Sequence, residues 1–197
     1  MDHRDVIANA PYPRMVVDLK KLRHNLDVVT GDCRKAGIRV CGAIKGFNGL
    51  PEAVRVFAQA GCAQLGTSRM RQIKELKALG VDASYLLLRI PMISEAEDVA
   101  EYADISLNSD LTVLKALDAA AGKIGRKHGV IIMADLGDLR EGFWDKDELA
   151  DCAAYVEENL SNLELKGVGT NLGCYGSIKP TVEKMNELIR VAELVEG

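Results

Sequence analysis

Short apolar runs alternate along the chain with stretches where apolar residues return every third or fourth position, which predicts strands and amphipathic helices in turn. Met15-Val16-Val17 reads as a first strand. Asp18 is placed to cap a helix whose face is Leu19, Leu22, Leu26, Val29 and Cys33, closed by Gly37. The pattern then repeats. Val40–Lys45 is a strand, and Pro51 opens a helix with Val54, Phe57 and Ala58 that stops at Gly61. Cys62–Gly66 is a strand, and Ser68 caps a helix carrying Met70, Ile73, Leu76 and Leu79 as far as Gly80. Ser84–Ile90 is almost wholly apolar, the mark of a strand buried on both faces, and Ser94 with Glu97 forms a capping box for a short helix through Tyr102. Asp104–Leu107, Val130–Ala134 and Leu163–Val168 are three further strands. The helices that follow them begin at Ser109, Asp147 and Pro180.

Strands and helices in strict alternation imply a parallel sheet with right-handed crossovers, satisfied by an open doubly wound sheet or by a (β/α)8 barrel. Residues 1–13 are polar, end in Pro11-Tyr12-Pro13, and read as an N-terminal arm; the ordered domain is expected over 14–197. Counted from Val40 there are about six strand-helix units, two short of a closed barrel. The chain is therefore expected to be the N-terminal part of a longer protein.

Composition narrows the class. The chain is 48% hydrophobic and 27% charged, with 25 basic and 29 acidic side chains, an ordinary globular balance without the footprint of a nucleic-acid or membrane-surface binder. No apolar run approaches the ~20 residues of a membrane span, and Met1-Asp2-His3-Arg4-Asp5 lacks the apolar core of a signal peptide, so a cytoplasmic protein is expected. The five cysteines show no Cys-x-x-Cys spacing and read as small buried hydrophobes, Cys174 excepted because it lies in a glycine-rich loop.

In either architecture the chemistry sits where strands end. Lys45 stands there, ahead of Gly46-Phe47-Asn48-Gly49. An amine held out of bulk water is more often neutral and attacks aldehydes, of which pyridoxal phosphate is the natural one; the plain alternative is a solvated charge. Asp135-Leu136-Gly137-Asp138-Leu139-Arg140-Glu141-Gly142 follows the most apolar strand. It reads either as a turn with a surface ion pair or as a guanidinium aimed at a phenolate or carboxylate; its carboxylates match no known metal loop, and no metal is expected. Gly167-Val168-Gly169-Thr170-Asn171-Leu172-Gly173-Cys174-Tyr175-Gly176 departs from the dinucleotide spacing and is a loop or a ligand cradle. His24 and His128 fall away from the strand ends and are expected at the surface, and no Gly-x-Ser-x-Gly elbow is present.

The segments Met15–Asn25, Ala43-Ile44-Lys45, Asp135-x-Gly137-x-x-Arg140 and Gly167–Asn171, in that order and spacing, resemble the N-terminal barrel of the alanine racemase superfamily. Those around Leu87–Met92, Ala103–Ser109 and Asp135–Gly142 resemble its ornithine racemase branch. The resemblance implies an α/β fold, a (β/α)8 TIM barrel left incomplete, and a pyridoxal-phosphate-dependent racemase interconverting L- and D-amino acids, ornithine or a similar basic one. It implies Lys45 as the Schiff-base lysine and Cα base, Arg140 against the cofactor's phenolic oxygen, and Asn171 where alanine racemases carry a histidine beside the pyridine ring. Gly49 falls where they carry a phosphate-contacting tyrosine, and these two departures argue against alanine as substrate. The family's opposite-face acid comes from a C-terminal β-domain of the partner in a homodimer, which this chain lacks, so weak cofactor binding and little turnover are expected of it alone. A single-barrel pyridoxal-phosphate homeostasis protein and a metal-assisted D-amino-acid aldolase are the competing expectations.

Overall fold

A computed structural model describes residues 11–173 and 178–197. Six parallel strands lie side by side in chain order: β1 (Cys41–Ala43), β2 (Gln64–Thr67), β3 (Tyr85–Leu87), β4 (Ile105–Asn108), β5 (His128–Ala134) and β6 (Leu163–Thr170). Helix α1 (Leu19–Lys35) precedes the sheet. Each strand is then followed by a helix: α2 (Pro51–Gln59), α3 (Met70–Ala78), α4 (Ala96–Tyr102), α5 (Leu111–Lys123), α6 (Lys146–Asn159) and α7 (Val182–Glu196). Sequential order with right-handed crossovers puts all the connecting helices on one side of the sheet. This is the expected barrel fold, six strands long and not closed, with β1 and β6 as its edges.

The main core fills the space between strands and helices. Leu65, Leu87, Val130 and Ile132 point outward into it and meet Val54, Ile73, Leu76, Val99, Leu114, Leu117, Leu149 and Val191 from the helices. The layers approach closely at Gly42, where a Cβ would lie 2.4 Å from the Phe57 ring, so a larger residue would push α2 off β1. The opposite, concave face is shown by a cavity of about 550 Å³ near the strand starts, lined by Gln64, Ser84, Ile105, Gly129, Ile131 and Glu164 among others. Between Val130 and Ile131 of β5 the facing strand β6 carries one extra residue, Lys166, and Gly167 takes φ +126° at that bulge.

Several expectations are corrected. Met15-Val16-Val17 forms no strand; Met15 and Val16 are exposed, because nothing among the described residues pairs with them. Ser68 does not cap α3, which begins at Met70 behind Arg69, nor does the Ser94–Glu97 box form: Glu95 goes instead to Arg89, and α4 starts at Ala96. Caps fall on Asp18 as expected, but on Asp110, Asp145 and Thr181 where later or earlier starts were read; each side chain accepts backbone N–H bonds of the first turn. The largest correction is His128, which is 1% exposed. Strand β5 starts at this residue because it pairs with Leu163, two positions earlier than the apolar run suggests, and its side chain faces the helices. Its Nε2 lies 2.8 Å from Ser106 Oγ, itself bonded by Asn108 Nδ2 at 3.0 Å.

Candidate active site

Lys45 stands at the carboxyl rim of β1. The β1 ladder runs one residue past the strand, with Ile44 N–H donating to Gly66 at 2.8 Å, and Lys45 then opens a 3-10 turn, Lys45–Phe47. The turn closes on Asn48 (φ 54°), whose N–H donates to the Lys45 carbonyl at 3.2 Å, and on Gly49 (φ 68°), whose N–H donates to Ile44 at 3.0 Å. Asn and Gly are the residues that tolerate this left-handed pair, so the sequence Asn48-Gly49 itself ends the turn. Lys45 is half-buried there.

A second loop stands on the same rim after β5. Asp135 folds it, Oδ1 accepting from Gly137 N at 2.7 Å and Leu139 N at 3.2 Å. The chain then returns to its own strand: Phe143 N donates to Met133 at 2.7 Å, and Asp135 N to Phe143 at 2.9 Å. Gly142 (φ 114°) makes that return possible, since a Cβ there would sit 2.5 Å from Asp135 N. Lys146 fastens the base of the loop, donating to the carbonyls of Asp135, Phe143 and Trp144 at 2.6, 3.1 and 2.8 Å. Burial draws its pKa below the usual lysine value. Arg140 is exposed on this loop. Beside it, Glu141 Oε1 accepts from Asn171 Nδ2 at 2.8 Å, and Asn171 Oδ1 accepts from Gly173 N at 2.8 Å.

Of the residues singled out by sequence, Lys45, Arg140 and Asn171 thus share one rim. The structure joins the Arg140 loop to Asn171 directly through Glu141, while Lys45 stands on the other edge strand of the arc. Arg89 is used within the scaffold, donating to the carbonyls of Ser68 and Ile90 and pairing with Glu95 at 2.6 Å. Asn108 is buried on the helix side with Ser106 and His128. Asp135 and Glu141 spend carboxylate oxygens inside the protein, and among the described residues no group of three His, Cys, Asp or Glu is placed to hold a metal. Cys152 is buried and Cys33, Cys41 and Cys62 half-buried; burial pushes the Cys41 and Cys152 thiols up to about 11. Cys174 and Tyr175 lie outside the described residues.

The family described as alanine racemase, N-terminal domain, matches residues 17–197. The chain belongs to that family. Within it, the chain is 38% identical over 182 residues to the ornithine racemase of Acetoanaerobium sticklandii, covering 92% of this chain and 51% of that protein. It is 35% identical over 188 residues to the lysine racemase of Thermotoga maritima, covering 94% and 51%. The chain therefore spans about half the length of these curated relatives. Among solved structures, PipY of Synechococcus elongatus PCC7942, with PLP bound, superposes at a TM-score of 0.68 with 20% identity, covering 87% of this chain and 82% of that one.

The inner face of this alanine racemase-type barrel carries small residues on both edge strands. Gly42 faces α2, so its neighbours Cys41 and Ala43 face inward; Gly66 pairs with Ala43, and Gly167 and Gly169 pair with the inward Ile131 and Met133. A Cβ on Gly167 would meet nothing within 4 Å. Nearer the rim the floor is covered, since a Cβ on Gly169 would meet Met133 and Ile131 and one on Gly66 would meet Leu88 and Cys41. The Lys45 amine and the Arg140 guanidinium are the donor types that an aldehyde and a phenolic oxygen, such as those of pyridoxal phosphate, would call for.

Two polar residues that organise this rim escape a reading by sequence. Gln72 interrupts the apolar stripe Met70, Ile73, Leu76 and is buried against the Lys45 turn. Lys146 opens α6, where a cation opposes the helix dipole, and that mismatch was the available signal that its charge is spent elsewhere.

Proposed function

We propose that this chain is the cofactor-bearing barrel portion of a cytoplasmic, pyridoxal-phosphate-dependent amino-acid racemase acting on ornithine or a similar basic amino acid, with Lys45 holding the cofactor. The observation that carries the reading is Lys45 at the carboxyl rim, shared with the Arg140 loop, in a chain 38% identical to an ornithine racemase. The basic substrate is supported by the names of both curated relatives, racemases of ornithine and lysine. When bound, pyridoxal phosphate supplies an aldehyde for the amine and an electron-withdrawing ring that acidifies the substrate Cα–H.

The chain's own residues do the rest. The Lys45 amine, when free, would take the substrate Cα proton on one face and return it there in the reverse direction. Arg140 offers N–H donors and no acceptor, which suits an anionic phenolic oxygen. Asn171 is neutral and its amide is held by Glu141 and Gly173, so it orients a neighbouring ring without exchanging a proton with it. The acid for the opposite face comes from outside these 197 residues, in a homodimer.

Borohydride reduction of the protein mixed with pyridoxal phosphate, followed by peptide mapping, tests the site. The label is expected on Lys45 and absent from Lys45→Ala; a label on another lysine in the unmutated protein overturns the assignment. Racemisation of ornithine by the longest natural protein containing this chain, unaffected by chelator, supports the reaction. A stand-alone pyridoxal-phosphate-binding barrel is the second reading, favoured by the 82% of PipY that the chain covers, and it predicts the same label without racemisation. Retro-aldol cleavage abolished by chelator would instead mark an aldolase.

A further inference from the structure

The turn that carries Lys45 is clamped by a side-chain relay from the neighbouring strand and helix. Gln72, on α3, is 3% exposed. Its Nε2 donates to Asn48 Oδ1 at 2.9 Å, and its Oε1 accepts the hydroxyl of Thr67, which ends β2 and is fully buried. Thr67 Oγ1 also accepts from Arg69 N at 3.3 Å, so the relay is tied to the entry of α3. On the other side, Gly49 packs on Gln72, the site of its missing Cβ lying 3.4 Å from the Gln72 side chain. Asn48 is the residue whose N–H closes the turn on the Lys45 carbonyl. Gln72 is the third residue of α3, in its first turn, where a glutamine is ordinarily solvated and helix formation does not require its burial. It is buried because both ends of its amide are used, one by the sheet and one by the Lys45 turn.

We propose that Gln72 is a positioning residue that fixes the Lys45–Gly49 turn, and with it the direction in which the Lys45 side chain leaves the strand; this rests on the reading of Lys45 as the cofactor lysine. Asn48 holds a left-handed conformation that costs a non-glycine residue energy, and its side-chain bond to a buried amide offsets that cost. Without the bond the turn samples other conformers, and a nucleophile displaced by an ångström loses rate steeply.

The test follows two readouts in Gln72→Leu, which keeps the approximate volume and removes both bonds. The first is the rate of capture at Lys45: the amine nitrogen bonds the aldehyde carbon, the oxygen leaves as water, and borohydride delivers hydride to the carbon of the resulting C=N bond, leaving a secondary amine found by peptide mapping. The second needs no cofactor and is hydrogen exchange at the Asn48 and Gly49 amides. The inference expects capture at Lys45 to slow by about tenfold and both amides to exchange about tenfold faster. Gln72→Glu should restore both to within about threefold, because a carboxylate accepts from Thr67 and from an Asn48 amide turned end for end.

Wild-type capture and wild-type exchange in a folded Gln72→Leu overturn the proposal, as does failure of Gln72→Glu to rescue. Should Gln72→Leu not fold, Asn48→Ala deletes the same bond from the other side while leaving the left-handed cost of a non-glycine residue in place; the same slowing supports the proposal and unchanged rates overturn it. Absence of label at Lys45 in the unmutated protein strikes the cofactor reading, while the exchange result still decides whether Gln72 holds the turn.

Discussion

Acidification should unfold this protein partly through one ring. His128 is sealed between sheet and helices, and burial pulls its pKa down to about 4 from 6.5, against the smaller opposing pull of the Ala103 backbone and the Asp104 carboxylate. The folded chain therefore takes up this proton only near pH 4, whereas the unfolded chain takes it up near 6.5. Stability from the neutral ring is fully present above 6.5 and is lost as pH falls through that window. The loss by pH 4 is roughly 3 kcal/mol, a large share of the ~5–15 kcal/mol that holds a domain of this kind. Carboxylates titrate over the same range, so the comparison is with His128→Leu, which removes the ring and leaves Ser106 Oγ bonded by Asn108 Nδ2. Denaturant unfolding of both proteins at pH 7 and pH 4 isolates the ring's contribution, since the carboxylates are common to both. The unmutated chain should lose about 3 kcal/mol more than the variant. Equal losses, to within ~0.5 kcal/mol, would refute a histidine held neutral by burial.

Gly142→Ala should destabilise by on the order of 3 kcal/mol, because φ is +114° and the added carbon meets backbone at 2.5 and 2.6 Å; the denaturation midpoint reads it. Lys146→Met should cost about 2 kcal/mol and loosen the Arg140 loop, seen as lowered pyridoxal phosphate affinity in a binding titration. The 197-residue chain by itself should show little or no racemisation of ornithine while still accepting label at Lys45; brisk D/L interconversion in a chiral assay would contradict the assignment of the second acid to residues beyond it.

What could be read from sequence divides along physical lines. Buried parallel strands are contiguous apolar runs, and helices on one side of a sheet carry one apolar stripe, so the alternation and the six strands were legible. So was the place of Lys45, because Asn48-Gly49 announces a tight left-handed turn. Met15-Val16-Val17 has the composition of a strand, but composition cannot supply a partner. His128 was misplaced because strand length is set by pairing with Leu163, a contact 35 residues away, while the pattern was judged only locally. At α5 the cap went to Asp110 over the adjacent Ser109, its Oδ1 accepting from both Thr112 N and Val113 N, while α3 and α4 start behind Arg69 and Glu95 with no side-chain cap that the sequence could announce. Gln72 was invisible for a related reason: its partners come from two other elements, and nothing in the local sequence announces them.

The extra residue in β6 has a further consequence, since β6 is an edge of the sheet among the described residues. A straight, eight-residue edge would offer evenly spaced amides and carbonyls to any passing chain. Lys166 breaks that spacing, the charges of Glu164 and Lys166 stand beside it, and β5 itself pairs across the break only by leaving Lys166 out of register, so any strand laid on the outer side has to allow for the same extra residue. The irregularity thus makes this border selective, admitting a neighbour of matching register more readily than an arbitrary straight strand.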